Sequence, residues 1–114
     1  MTIKQMQEKL NLEVVSLDSE NSENSEITEV YTSDLLSDIM GNAPENSVLV
    51  TIQAHKNTVA VATLKESKAI IICNNRPIPE DMIEAAKSEE ISIFRTEMNQ
   101  YQISGKLYSL IESN

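Results

Sequence analysis

Two short apolar runs separated by a helical segment constrain the fold of this chain more than any other feature. Val48–Val50 and Ala69–Cys73 are apolar on both faces, as the central strands of a parallel sheet must be. The segment between them, Asn57–Lys65, begins with a residue that caps helices and carries small apolar side chains that let a helix lie close on a sheet. Together the three segments predict the strand, helix and strand of an α/β domain.

The rest of the chain supplies further helices and strands in the same alternation. Capping residues, apolar periodicity and glycine or proline breaks predict the helices, and short apolar runs predict the strands. The predicted elements are a helix over Ile3–Leu10, strands over Leu12–Val15 and Ile27–Thr32, a helix after Ser33, strands over Ser47–Ile52 and Lys68–Cys73, a helix with Pro79 at its first position, a strand over Ile91–Phe94 and a helix over Met98–Ile111. This order predicts one domain over residues 1–114, a three-layer α/β/α sandwich with a mixed, largely parallel five-stranded sheet.

The two glycines are each expected to have a structural role. Gly41 should lie just past the end of the helix that follows Ser33. The inner face of that helix is predicted to carry Leu35, Leu36, Ile39 and Met40. Gly105 lies inside the last helix, where a glycine costs about 1 kcal/mol relative to alanine. A close approach to another backbone is therefore expected at Gly105.

The net charge of −9 comes from one part of the chain. No lysine or arginine occurs between Leu10 and His55. Nine carboxylates fall in that stretch: Glu13, Asp18, Glu20, Glu23, Glu26, Glu29, Asp34, Asp38 and Glu45. An acidic surface repels phosphate backbones and anionic lipids, so we expect no nucleic-acid partner and no membrane partner. A basic protein partner stays open, as does a role in solubility alone. Asp18–Glu26 has no apolar residue and is predicted to be an exposed, mobile loop.

Several absences restrict the function further. The single cysteine cannot form an internal disulfide, and the amino-terminal stretch MTIKQMQEKL lacks the apolar core of a signal peptide, so a cytoplasmic protein is expected. With two glycines in all, the chain has neither GxxxxGK[ST] nor GxGxxG. No cofactor is therefore expected.

Polar residues follow the predicted parallel strands at the points where the strands end. In open α/β sheets ligands bind outside these carboxyl ends, so the pattern predicts a site for a small polar ligand. The candidate ligand-binding residues are Thr32, Ser33, Asp34, Gln53, His55, Asn57, Asn74 and Arg76. Arg95 and Thr96 follow the fifth predicted strand in the same way.

Neither a metal site nor a catalytic residue is predicted. His55 could act as a general base, but it has no second histidine to complete a zinc site, and capping a turn is the alternative role. Cys73 at a strand end is typical of a small buried apolar residue rather than a nucleophile. The spacing of oxygen-bearing residues over Asp18–Glu29 matches a calcium loop, but Glu23 stands where that loop requires glycine.

Six short motifs together resemble one known family. They are Tyr31-x-Ser33-Asp34-Leu35-Leu36-Ser37-Asp38-x-Met40-Gly41, Thr51-Ile52-Gln53, His55-x-Asn57, Val59-Ala60-Val61-Ala62, Pro77-x-Pro79 and Gly105-Lys106-Leu107-Tyr108. In these motifs and over most of its length the chain resembles the DRTGG domain family, which is similar to a domain found next to the catalytic part of HPr kinase/phosphorylase.

The resemblance implies the fold of the HPr kinase N-terminal domain and a regulatory or accessory role. Such domains occur alone or fused to catalytic domains such as phosphate acetyltransferase, and some are encoded beside iron-only hydrogenase components. The Asp-Arg pair that gives the family part of its name falls on Ala54-His55, and the Thr-Gly-Gly falls on Cys73-Asn74-Asn75. The name-giving motifs are thus degenerate in this chain.

Three functional hypotheses follow. The first is a non-catalytic regulatory or ligand-sensing domain that acts alone. The second is a protein-interaction module whose acidic half docks on a partner enzyme, for example a hydrogenase or acetate-metabolism component. The third, an enzyme that uses His55, lacks a partner group for the histidine.

The helix Asn57–Lys65 also bears on self-association. It is apolar almost all round, so it is expected to be buried on every side, either by the last helix or by a second copy across a two-fold axis. Between these alternatives we favour a homodimer.

Overall fold

The computed structural model describes residues 1–18 and 24–113, which form five helices and five strands. The helices are α1 (Ile3–Leu10), α2 (Leu36–Asn42), α3 (Lys56–Leu64), α4 (Glu80–Ser88) and α5 (Gln100–Glu112). The strands are β1 (Glu13–Ser16), β2 (Val30–Thr32), β3 (Val48–Thr51), β4 (Ala69–Ile72) and β5 (Ser92–Arg95). They form one sheet in the order β1-β5-β4-β3-β2, in which β2 to β5 are parallel and β1 runs antiparallel to β5. The predicted mixed, largely parallel sheet is confirmed.

Three helices cover one face of this sheet. The parallel strands β2 to β5 are neighbours in chain order, and right-handed crossovers in one direction place all their connecting helices on the same side. Ile39 of α2, Val59 of α3 and Met82 of α4 pack there in one buried cluster with Leu49 and Ile70 of the central strands.

The remaining two helices cover the opposite face. Met6 of α1 and Ile103 and Leu107 of α5 form a second buried cluster with Val50 and Ile71. Since β3 and β4 contribute buried side chains to both clusters, all of their residues are buried, as their continuous apolar sequence predicts. The three-layer α/β/α sandwich is confirmed.

The inner face of α2 is narrower than predicted. The helix begins at Leu36 rather than directly after Ser33, and its N-cap residue is Leu35. Ile39 is fully buried, but the side chains of Leu35 and Met40 are 60% and 38% exposed. A helix of two turns presents only one short stripe to the sheet, so these two residues point away from it.

Both glycine predictions are wrong. Gly41 lies inside the last turn of α2, without the left-handed conformation of a glycine cap. Gly105 is exposed on α5, and a methyl group added at its Cα would meet no atom within 4 Å. The close backbone approach expected at Gly105 does not exist among the described residues.

The apolar helix α3 is buried on one side only. Thr58, Val59 and Ala62 are buried, whereas Ala60 is exposed and the side chain of Leu64 is 68% exposed. The last helix cannot cover this surface, because α5 packs on the opposite face of the sheet. Burial on every side within one copy is therefore wrong, and the homodimer stays a prediction.

Part of the predicted acidic loop, residues 19–23, lies outside the described residues. The same residues include the middle of the stretch whose spacing matches a calcium loop. The last residue of the predicted loop, Glu26, is held by two contacts. Glu26 forms an antiparallel bridge with Thr2, and its carboxylate accepts a hydrogen bond of 2.7 Å from the amino-terminal nitrogen of Met1. Within the described part of the chain, no helix combines the length and apolar character needed to cross a membrane.

Candidate functional site

Every predicted site residue lies at one edge of the sheet, either at the end of a strand, in the loop after it or in the first turn of the next helix. The strands β2 to β5 are parallel, so their carboxyl ends meet at the same edge. The antiparallel strand β1 adds its first residue there, because Glu13 is paired with Arg95 at the end of β5. We call this the carboxyl edge.

At the β2 and β3 end of this edge, the polar residues bind one another. The side-chain amide of Gln53 donates a hydrogen bond of 2.6 Å to the carbonyl oxygen of Asp34. The Ser33 hydroxyl accepts one of 3.2 Å from the backbone N–H of Leu35. The Thr58 hydroxyl donates one of 2.6 Å to the carbonyl oxygen of Gln53. The bond from Gln53 to Asp34 joins the loops after β2 and β3, and the other two bonds are local to one loop each, so the structure brings Ser33, Asp34 and Gln53 into one cluster.

His55 caps a helix. Its Nδ1 accepts a hydrogen bond of 3.0 Å from the backbone N–H of Asn57, which satisfies one of the unpaired donors at the start of α3. The side chain is exposed. Capping is therefore the role that the geometry assigns to His55, and the expected cap, Asn57, is instead the donor.

Two other candidates lie apart from this cluster. The Thr32 hydroxyl is hydrogen bonded to the hydroxyl of Ser104 on α5, at 2.6 Å. Asn57 lies at the mouth of an apolar groove of about 390 Å³ between α3 and α4, lined in part by Ala60, Leu64 and Ala85. Neither residue belongs to a shared site with the other candidates.

The loop after β4 has an unusual backbone. Asn74 and Asn75 both have positive φ angles, 60° and 50°. Asparagine tolerates this left-handed conformation better than other residues with a Cβ. The conformation lets the N–H of Asn74 donate to the carbonyl of Met98 at 3.0 Å and the N–H of Asn75 donate to that of Thr96 at 2.8 Å. The loops after β4 and β5 are thereby joined at their base.

Above this base the two loops diverge and leave a crevice of about 400 Å³. The chain leaves β4 for α4 on one face of the sheet and leaves β5 for α5 on the other, which is the arrangement that opens ligand sites in α/β sheets. The end of α1 and the start of β1 close the remaining side. The lining residues are Leu10, Asn11, Glu13, Asn75, Arg95, Thr96, Glu97 and Met98.

An ion pair dominates the electrostatics of the crevice. The guanidinium of Arg95 donates to both carboxylate oxygens of Glu13, with three contacts of 2.9 to 3.1 Å, and its Nη1 donates to the Arg76 carbonyl at 3.3 Å. Glu97 adds a second carboxylate to the lining. Since Glu13 already neutralises Arg95, the crevice offers polar groups without an excess of positive charge.

Sequence reasoning found part of this crevice. Asn74 and Arg76 adjoin it, and Arg95 and Thr96 were recognised as polar residues at a strand end. Asn11 and Glu13 were missed, because only the antiparallel pairing of β1 with β5 brings them here. No local signal in the sequence reveals that pairing.

The described residues contain no group of three or more histidine, cysteine or acidic side chains arranged to hold a metal ion. Cys73 is fully buried, and burial raises the pKa of its thiol to about 11. A neutral, inaccessible thiol is not a nucleophile at ordinary pH.

Comparison with known proteins shows the family. The family model described as the HPr serine kinase N terminus matches residues 45–111, which is more than half of the chain. The chain belongs to this family. The match spans β3 to α5, which contain most of the carboxyl edge. No curated protein matches the chain.

A solved structure supports the same fold. It contains the CBS and DRTGG domains of the regulatory region of Clostridium perfringens pyrophosphatase, complexed with the activator diadenosine tetraphosphate. The match has a TM-score of 0.74 at 13% identity and covers 90% of this chain but 44% of that one. The chain thus spans less than half the length of that structure, and the resemblance to DRTGG domains is confirmed at the level of family and fold.

Proposed function

We propose that this HPr kinase N-terminal-like domain is a non-catalytic regulatory domain that binds a small polar ligand in the crevice at the carboxyl ends of β4 and β5. The observation that carries the proposal is the crevice itself, a polar cavity at the point where consecutive connections leave the sheet on opposite faces. The regulatory region in which the similar pyrophosphatase fold occurs supports a role in regulation. A cytoplasmic setting stays a prediction from the sequence.

Within this proposal the predicted site residues have two different roles. Asn74 and Arg76 shape the crevice, with Asn75, Arg95 and Thr96 as its ligand contacts. Ser33, Asp34, Gln53 and His55 support the neighbouring loops. Gln53 donates to the backbone carbonyl of Asp34, Ser33 accepts from the N–H of Leu35 at the start of α2, and His55 caps α3.

A thermal-shift screen tests ligand binding directly. The panel contains amino acids, acyl phosphates, and nucleotides including diadenosine tetraphosphate. A ligand at a hundred times its dissociation constant stabilises the folded state by about 2.7 kcal/mol, which raises the melting temperature by roughly 10 °C in a domain of this size. A panel in which no compound raises the melting temperature would remove the proposal.

Matched variants locate the ligand. Thr96→Ala changes the crevice, while the double substitution Gln53→Ala with His55→Ala changes only the cluster at the β2 and β3 end. A ligand in the crevice should lose its thermal shift with Thr96→Ala and keep it in the double variant. The opposite result would place the ligand among the loops after β2 and β3.

Glu13→Gln reports on the charge of the ligand. An anionic ligand must compete with Glu13 for Arg95, so removing the carboxylate charge should tighten its binding, whereas a cationic ligand should bind more weakly. An unchanged affinity would show that the ligand does not contact the ion pair.

The alternative function, docking of the acidic half on a partner enzyme, has less structural support. The acidic stretch contains both β1 and β2, which are the two opposite edges of the sheet, so among the described residues Glu13 of β1 lies far from the carboxylates that flank β2, Glu29 and Asp34. Glu13 and Glu26 are already paired with Arg95 and the amino terminus. Capture of an enzyme partner at low salt that is lost at high salt would favour this alternative.

A further inference from the structure

In the described part of the chain, the β2 edge of the sheet has no further strand paired with it. Among the described strands, β2 pairs only with β3, and its flanking residues Glu29 and Ser33 bond to Val48 and Val50 at 2.9 and 3.1 Å. Parallel pairing uses alternate residues of a strand, so Val30 and Thr32 turn their backbone N–H and C=O groups outward. The strand is short, but it has no lysine, proline or bulge to discourage pairing with another chain.

The flank of α5 beside this edge is exposed and aromatic. Tyr101 and Tyr108, two helical turns apart on one stripe, are 87% and 70% exposed, more than any other large apolar side chain in the described chain. Tyr108 and Ser104 line a depression of about 190 Å³ together with Val30 and Thr32 of the open strand. The edge and the helix flank therefore form one continuous surface.

This surface lacks the negative charge of the rest of the molecule. The strand β2 has no charged residue, and residues 98–111 contain Lys106 and no carboxylate, in a chain of net charge −9. A second copy of an acidic protein is repelled wherever carboxylates face each other. Within β2 and residues 98–111 it would meet none, and the carboxylates of Glu29 and Asp34 lie just beyond the two ends of the strand.

We propose that this surface binds a second copy of the chain across a two-fold axis beside Tyr31. The two β2 strands pair antiparallel, so that Val30 faces Thr32 of the partner subunit and Thr32 faces Val30 of the partner subunit. The outward backbone groups of these residues then form about four hydrogen bonds. The two five-stranded sheets become one continuous sheet.

The same axis brings the two α5 helices together. The pattern Tyr101-x-x-Ser104-Gly105-x-x-Tyr108 has the same kinds of residue in both directions. Two antiparallel copies therefore place Tyr101 against Tyr108 of the partner subunit, with small residues where the helices cross. The 2.6 Å bond between Thr32 and Ser104 holds the middle of this pattern beside the last residue of β2, one residue from Tyr31, so one axis can serve both contacts.

The area involved indicates a weak dimer. A tyrosine side chain buries roughly 200 Å², so the two exposed tyrosines supply about 300 Å² per copy. A standard interface buries about 800 Å² per partner, and the strand edge and the rest of the helix flank supply part of the difference. We therefore expect dissociation in the micromolar range.

Sedimentation equilibrium of the full chain, from low to high micromolar concentration, measures this association. Tyr101→Lys with Tyr108→Lys places ammonium groups opposite each other across the axis and should weaken the dimer by about tenfold or more. Tyr101→Lys with Tyr108→Glu converts the same contacts to ion pairs and should restore the dissociation constant to within about threefold. Both side chains are exposed, so circular dichroism should show an unchanged fold.

Leu64→Lys is the matched control, since it adds a charge at an exposed apolar residue on α3, which lies on the other face. It should leave the association unchanged. Hydrogen exchange adds a backbone readout: the amides of Val30 and Thr32 should become protected as concentration rises, while that of Ser33, already bonded to β3, should not change.

A monomer mass at every concentration would overturn the proposal. So would a dimer that Leu64→Lys dissociates and the paired tyrosine substitutions leave intact, because that result places the interface on α3. Failure of the Lys and Glu combination to restore association would overturn the antiparallel arrangement of the helices.

Discussion

Replacement of Gly105 by alanine distinguishes the open surroundings that the structure gives this residue from the close packing that the sequence predicted. A glycine retained for close packing would make this substitution destabilising. The structure predicts the reverse, since the added methyl group meets no atom within 4 Å and the backbone is already helical. Alanine is favoured over glycine inside a helix by about 1 kcal/mol, so Gly105→Ala should stabilise the domain by about that amount.

The expected shift in melting temperature follows from the size of the chain. Unfolding entropy is roughly 2.1 cal/mol/K per residue, so 114 residues give about 0.24 kcal/mol/K, and 1 kcal/mol corresponds to about 4 °C. Calorimetry and urea unfolding should agree, with an unchanged urea slope.

Gly105 also lies in the proposed dimer surface, so the measurement is repeated in the variant with Tyr101→Lys and Tyr108→Lys. The gain should persist there, because it belongs to the helix of one copy. A loss of stability in this background would show that Gly105 is in contact with something that the structure does not place there.

Three further predictions concern single residues. Glu66 and Glu90 follow α3 and α4 with positive φ angles of 52° and 59°, so Glu66→Gly and Glu90→Gly should each stabilise the domain by about 0.5 to 1 kcal/mol in urea unfolding, and destabilisation would contradict those backbone conformations. The hydrogen bond from Tyr31, the largest cause, lowers the pKa of Asp38 below its usual 3.8. Its stabilisation is present above that value and is lost as the pH falls through the depressed pKa, so Tyr31→Phe should raise the pKa of Asp38 in an NMR titration, and its stability deficit should close in acid. The buried thiol of Cys73, with its pKa raised to about 11, should react with iodoacetamide only as fast as the domain unfolds, and equal rates for native and denatured protein would contradict its burial.

The central sheet could be predicted because its signal is local. Val48–Val50 and Ala69–Ile72 are apolar on both faces, and only a strand covered by helices on both sides satisfies such a sequence. Whether an apolar side chain of a helix is buried depends instead on which elements pack against that helix. Leu35, Met40 and Leu64 are apolar yet exposed, and nothing within each helix distinguishes them from residues that reach the sheet.

The residues of the candidate site also fall into those that local sequence predicts and those that only long-range contacts bring there. The polar residues that end parallel strands were predictable, since every parallel strand delivers its carboxyl end to one edge. The crevice also needs the start of β1 and the end of α1, and their position follows from the antiparallel pairing of Glu13 with Arg95, 82 residues apart in the chain. Contacts across such separations are set by the completed fold rather than by local pattern.

The loop after β4 keeps a left-handed backbone although the Thr-Gly-Gly motif of the family is degenerate there. The resemblance implies that the two glycines of the family's Thr-Gly-Gly fall on Asn74 and Asn75, and both asparagines adopt the left-handed conformation that glycine allows most easily. The backbone bonds that join this loop to the loop after β5 are present. Asparagine at these positions adds the Asn75 side chain to the lining of the crevice and that of Asn74 beside it, each with donors and an acceptor that glycine lacks. The left-handed backbone of this loop is one that glycines also adopt readily, while the asparagines offer a ligand polar groups that glycines lack. The ligand of this domain should therefore be sought by its polar chemistry rather than by the family name.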